Sequence, residues 1–214
     1  MNLSGFDPQL VTNSIGAINR AYGELIQALK VRTQNEFVNE MASKWACHQA
    51  IDFFNASFQP AMNQLIAGVN MCFNSVVQAM NGAAQVWASK TGTSFGGVQF
   101  SEIVGGIDVS LIRENINGVR GIDVAATNPV VSKLNAISAD AQTALQHAQT
   151  AVNQSGFIGG TQAQSLVESL QLIANKVANA MNTLSAQTIN SINNTINEYA
   201  DAAGQIGSAF NSSI

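Results

Sequence analysis

The sequence predicts an all-α protein in which two antiparallel helical hairpins in one chain form a four-helix bundle. Three observations carry the prediction. Apolar residues recur by threes, fours and sevens along four long stretches, the spacing of a buried helix face. Two stretches open on Asp7-Pro8 and Asn128-Pro129, pairing a side-chain acceptor that suits a cap with the preset φ that suits the first helical residue. Between the two halves a Gly-rich segment breaks the helical period. The expected organisation is a first hairpin over 1–91, a linker over 92–127 and a second hairpin over 128–214.

In the first helix the apolar stripe is Val11, Ile15, Ile18, Tyr22, Leu25 and Leu29. It weakens through Thr33 and returns at Phe37 and Met41, so the helix is carried to about Lys44. Trp45-Ala46-Cys47 is the turn. Phe54, Phe58, Leu65, Val69, Cys72, Val76, Met80, Ala83 and Trp87 then form a heptad seam. Pro60 either kinks this helix or marks where its regular part begins, because it removes a backbone donor. In the linker, Val98, Phe100, Glu102 and Val104 before Gly105-Gly106, and Ile107, Val109 and Leu111 after it, alternate as a small hairpin would. Asp108 equally suits the cap of a short helix over Val109 to Ile116, and both readings stand. The third stretch is striped by Val130, Leu134, Ile137, Ala141, Leu145, Ala148 and Val152. After a turn containing Phe157, Ile158 and Gly159, a last seam runs through Leu166, Leu170, Ile173, Val177, Met181, Leu184, Thr188, Ile192, Tyr199, Ile206 and Phe210.

Composition narrows the function classes. The chain is 46% hydrophobic and 10% charged, against about 25% charged for an ordinary soluble domain, so its solubility rests on amides and hydroxyls. That apolar share excludes disorder. A net charge of −4 without a basic cluster argues against nucleic acid, whose affinity comes from Lys and Arg displacing counterions. Cys47 and Cys72 lie 25 residues apart, about 37 Å along a helix, too far for a disulfide. The opening MNLSGFDPQL has neither a basic leader nor an apolar run, so no cleaved signal peptide is expected. No charge occurs between Asp52 and Lys90, but amides such as Asn55, Asn63 and Asn70 interrupt the stretch, which reads as amphipathic rather than membrane-spanning.

The two halves align at one offset. Phe157 lies 112 residues beyond Trp45, and Tyr199 lies 112 beyond Trp87. Phe54 then meets Leu166, Phe58 meets Leu170, Leu65 meets Val177 and Met80 meets Ile192. Each half resembles a member of the Trp-x-Gly (WXG, early-secreted-antigen-like) family associated with type VII secretion: a helix, an aromatic-x-small turn, and a longer helix. Trp45-Ala46-Cys47 keeps the Trp with Cys in place of Gly, and Phe157-Ile158-Gly159 keeps the Gly with Phe in place of Trp. The turn aromatics read as hydrophobic plugs over the hairpin ends, placed together at one end of the bundle, or as an end recognised by a secretion machine. The family's Tyr-x-x-x-acidic export signal is not matched, since Ala203 follows Tyr199 at that spacing; the resemblance then implies that a partner supplies it.

No catalytic, cofactor-binding or metal-ligating residues are expected. His48 adjoins Cys47, but helix neighbours point about 100° apart. His147 reads as a solvated helix residue, and Gly96-Gly97 and Gly105-Gly106 lack the Lys-Ser/Thr of a phosphate loop. The sequence therefore predicts a non-enzymatic interaction protein, secreted without a cleaved signal peptide or cytoplasmic before export. Its expected partners are type VII secretion components or a WXG-like or toxin partner. It is expected to be a monomer or weak dimer, because the second hairpin covers the seam of the first. The alternatives are a membrane-active translocator, disfavoured by the lack of anchoring Lys and Arg, and a helical filament subunit.

Overall fold

The structure is a computed structural model that describes residues 6–155 and 161–211, the last six as backbone alone. It is mostly helical, with one two-stranded sheet. Helix α1 (Pro8–Ile26) starts as expected: the Asp7 carboxylate accepts from the backbone N–H of Gln9 and Leu10 at 2.9 and 3.1 Å. The chain then continues without a break through a π-helical segment, Gln27–Val38, into a last turn, α2 (Asn39–Met41). This segment explains the weakened stripe around Thr33. π-Helical bonds span five residues, and the buried positions Ala28, Leu29, Thr33, Phe37 and Val38 advance mainly by fours. The apolar face stays continuous, with Val11, Ile15, Ile18, Leu25, Leu29, Phe37 and Met41 all fully buried.

Helix α3 (His48–Phe53) passes through a short π segment, Phe54–Phe58, into α4 (Gln59–Thr91). Pro60 stands at the start of α4, so it marks where the regular helix begins. The heptad seam holds for Phe54, Phe58, Leu65, Val69, Val76 and Met80, all buried. Farther on, the buried residues are Ala84 and Ala88, while Ala83 and Trp87 are only half-buried. A straight helix drifts about 20° per heptad against a strict seven-residue repeat. That drift also leaves Cys72 on the flank of the seam, half-buried.

The linker forms neither the hairpin nor the short helix. Residues 98–109 lie as an extended strap in the groove between α1 with its π continuation and α4. Asn81 holds both backbone groups of Val98 at 2.8 Å. Gln34 holds both of Asp108 at 2.8 Å. Asn63 accepts from the Ile107 N–H at 2.8 Å while Gln59 donates to its carbonyl at 2.7 Å. Midway, the Tyr22 hydroxyl accepts from the Ile103 N–H and donates to Asn70, whose amide donates to Glu102. The lengths match: Asn81 to Asn63 is about 27 Å of helix, and Val98 to Ile107 about 30 Å of extended chain. The strap thus runs antiparallel to α4 and buries Ile107 and Val109, with Ile112 buried just beyond its end. A tight turn at Asn117-Gly118, both with positive φ, follows and leads into β2 (Gly121–Ile122).

Helix α5 (Val124–Asn153) begins before Asn128-Pro129, contrary to the expected start. Asp123 is the cap, its carboxylate accepting from the Ala126 N–H at 3.0 Å, and Pro129 sits inside the helix. The sheet fixes this earlier start, because the Asp123 N–H donates to the Lys44 carbonyl at 2.8 Å. Asp123→Ala is therefore expected to cost about 1 kcal/mol in urea unfolding, and Asn128→Ala nothing measurable. The expected stripe of α5, from Val130 to Val152, is buried at every position named above. Helix α6 (Thr161–Asn211) packs antiparallel to α5, with Gln142 donating to the Ala174 carbonyl and Gln149 to Gln171, each at 3.0 Å. Its buried seam runs from Leu170 to Ile192; Ile206 and Phe210 fall where only backbone is described.

Candidate functional site

Trp45 and Ala46 form strand β1 (Trp45–Ala46), paired antiparallel with β2 so that Trp45 faces Ile122 and Ala46 faces Gly121. The reversal is therefore a braced extended segment rather than a tight turn relying on a small residue, and Cys47 itself is extended, with φ −168° and ψ 175°. Trp45, Ala46 and Cys47 are all buried. The indole stacks on Phe53, with ring centroids 5.8 Å apart, and meets Phe54 edge-on. As a site, the motif offers no accessible surface: it is a plug.

Phe157, Ile158 and Gly159 lie outside the described residues. The expectation that Trp45 and Phe157 share one end of the bundle therefore also lies outside them, but the helices on either side are described. α5 starts beside Lys44 and β1. α6 starts beside Trp87, with Thr161 and Gln162 lining a cavity of about 440 Å³ together with Trp87 and Val86. Because the strap runs back along α4 before α5 begins, the second helix pair is inverted relative to the first. The seam-end aromatics are separated accordingly. Trp87 is half-buried at the α6 start, whereas Tyr199 is 40% exposed near the opposite end, where Gln49 of α3 donates to Glu198. Partial burial, then the Cys47 thiol, push the Tyr199 phenol above its ordinary value.

The accessible feature is one the sequence did not reveal: an open groove between α4 and α6. It encloses about 950 Å³, and Ala79 and Leu166 line both it and the smaller cavity at Trp87. The walls are mainly apolar, and Met71 and Leu172 within them are 72% and 58% exposed. On the α4 side, small residues at Ala61, Gly68, Ser75 and Ala79 alternate with larger ones such as Leu65 and Met71. The walls carry a single cation, Lys176. Cys72 lies in the α4 wall with its thiol 3.9 Å from the Ser169 carbonyl, and burial pushes that thiol above its ordinary pKa.

Charge sits instead between α1 with its continuation and α5. Arg32 makes a two-point contact with Glu36 and also reaches Asp140. Lys133 meets Glu40 at 2.5 Å and His147 meets Glu24 at 2.9 Å. His48 pairs with Asp52 at 3.1 Å on the surface of the α3 region. The Arg32 guanidinium holds the Glu36 carboxyl below its ordinary range, and Lys133 does the same for Glu40. A carboxyl whose folded pKa is depressed stabilises the fold above its unfolded pKa, and that contribution is lost as pH falls through the folded value. The thermal midpoint is expected to drop between about pH 6 and about pH 3, and a Glu36→Gln, Glu40→Gln variant to drop less steeply in the same scan.

Among the described residues, no three His, Cys, Asp or Glu side chains gather as a metal ion would require, and no helix is long and apolar enough to cross a membrane. The chain matches no protein-family model, no curated protein and no solved structure.

Proposed function

We propose that this chain is a non-enzymatic docking protein of the type VII, WXG-like kind, in which two helical hairpins compose one four-helix bundle that receives a partner. The single observation that carries the reading is the α4–α6 groove. The α1–α4 groove is filled by the strap, and the α1–α5 face is closed by ion pairs. The α4–α6 groove keeps large apolar side chains in water, a patch suited to an amphipathic helix laid lengthwise. The WXG likeness is supported by the position of Trp45, between two long helices and packed over their connection.

In this reading the protein leaves the cell without cleavage, beside a partner that carries the export signal. The test compares cell and medium fractions of the native culture, followed by purification of the chain from the medium. Intact chain in the medium, bound to one helical partner, is the expected result. Retention in the cell would overturn the export reading, and leakage of dye-loaded liposomes or concentration-dependent filaments would replace docking with the translocator or the polymer.

A further inference from the structure

We infer that the occupant of the α4–α6 groove is an amphipathic helix carrying a carboxylate that pairs with Lys176, and that Lys176 sets partner choice. The inference rests on the docking reading above and adds the chemistry of the partner. Lys176 is exposed and lines the groove, yet among the described residues its ammonium has neither an ion pair nor a hydrogen bond. The other wall of the groove cannot supply an anion, since α4 has no acidic residue along its whole length. An occupant bearing a carboxylate satisfies the one charge there, and an occupant bearing a cation at that position meets repulsion.

The groove fits a helix. Its α4 wall from Ala61 to Trp87 is about 39 Å long, the rise of a helix of about 26 residues. The small side chains of Ala61, Gly68, Ser75 and Ala79 let a helix backbone approach α4 closely. A second copy fits less well, because two-fold pairing through this face presents each Lys176 to the same face of its mate. A lipid surface is poorly served too, since membrane-bound helices draw on several Lys or Arg and the groove has one.

The test uses fluorescent model helices of about 26 residues built from Leu, Ala and Gln, identical except for a central Glu, Gln or Lys. Binding is measured by anisotropy against the intact chain. Wild type is expected to bind the Glu helix about fivefold more tightly than the Gln helix, the scale of one partly exposed ion pair, and the Lys helix most weakly. Lys176→Glu, which breaks no ion pair or hydrogen bond among the described residues, should reverse that order while leaving the circular-dichroism melt unchanged. Gly68→Leu should weaken all three helices alike, since a Cβ at Gly68 meets nothing within 4 Å and the new side chain fills the groove. Equal binding of all three helices by wild type overturns the role of Lys176 and leaves groove docking standing. No binding of any helix, or binding indifferent to Gly68→Leu, overturns the docking reading itself. A dimer abolished by Gly68→Leu, or flotation with phosphatidylglycerol vesicles abolished by Lys176→Glu, assigns the groove to a second copy or to lipid and overturns both.

Discussion

Trp45→Ala is expected to lower stability by about 3–5 kcal/mol, the range for deleting a fully buried aromatic, and the thermal midpoint by about 10 °C. The indole is wholly buried. It is one member of a continuous ring cluster in which Phe53, Phe54 and Phe58 contact one another and Phe37 closes over Phe54 and Phe58. Its backbone belongs to the strand pair that joins the first reversal to the start of α5, so the cavity left by alanine lies where two halves of the chain meet. Trp45→Phe should cost about 1 kcal/mol or less, because the buried indole N–H has no acceptor among the described residues and phenylalanine removes an unpaired donor along with the lost area. Urea unfolding followed by far-ultraviolet circular dichroism measures both. Equal losses for Phe and Ala would show that the N–H is well bonded and that the indole is held by polarity rather than packing.

What could be read in advance depended on whether side-chain periodicity carried the information. The buried faces of the first helix and of α5 were legible from Val11 to Met41 and from Val130 to Val152, because most buried positions are apolar and recur at a helical interval, the polar Ser14 and Thr33 being the exceptions in the first helix. The alternation in the linker was a signal of extended chain, but its inward face holds only in part: Ile107 and Val109 are buried, whereas Val104 and Leu111 stand exposed. Its partner was misread, since the strap pairs with helix side chains rather than with a second strand. Those side chains, Asn63, Asn81 and Gln34, grip backbone atoms, and recognition of backbone leaves no residue pattern in the segment recognised. The groove was hidden for a different reason. A strict heptad register assigned Cys72, Ala83 and Trp87 to the interior, whereas the drift of a straight helix turns them toward α6 and leaves Met71 and Val86 in water.

Gly106→Ala is expected to unlatch the strap. A Cβ at Gly106 would overlap the Asn63 carboxamide, the group that accepts from the Ile107 N–H. Asn63 cannot stay in that clamp beside a methyl group, and its departure strands the Ile107 N–H in a part-buried position, at a cost of about 1–3 kcal/mol. The neighbouring Gly105 has φ +90° and a Lys30 ammonium 3.0 Å from where its Cβ would be, so the chain has little room to shift around the new side chain. Ile107 and Val109 are the strap's own buried anchors, and losing the clamp between them and Val98 should free residues 98–106 first. Limited proteolysis is the direct readout: the wild-type strap, held at both backbone groups of Val98, Ile107 and Asp108, should resist a protease dose that cuts Gly106→Ala. Asn63→Ala should reproduce the cleavage without crowding, because it removes the same acceptor while leaving Gly106 intact. Rapid cutting of the wild type at the same dose would mean that the amide clamps do not hold the strap in solution, and the α1–α4 groove would then stand open beside the α4–α6 groove.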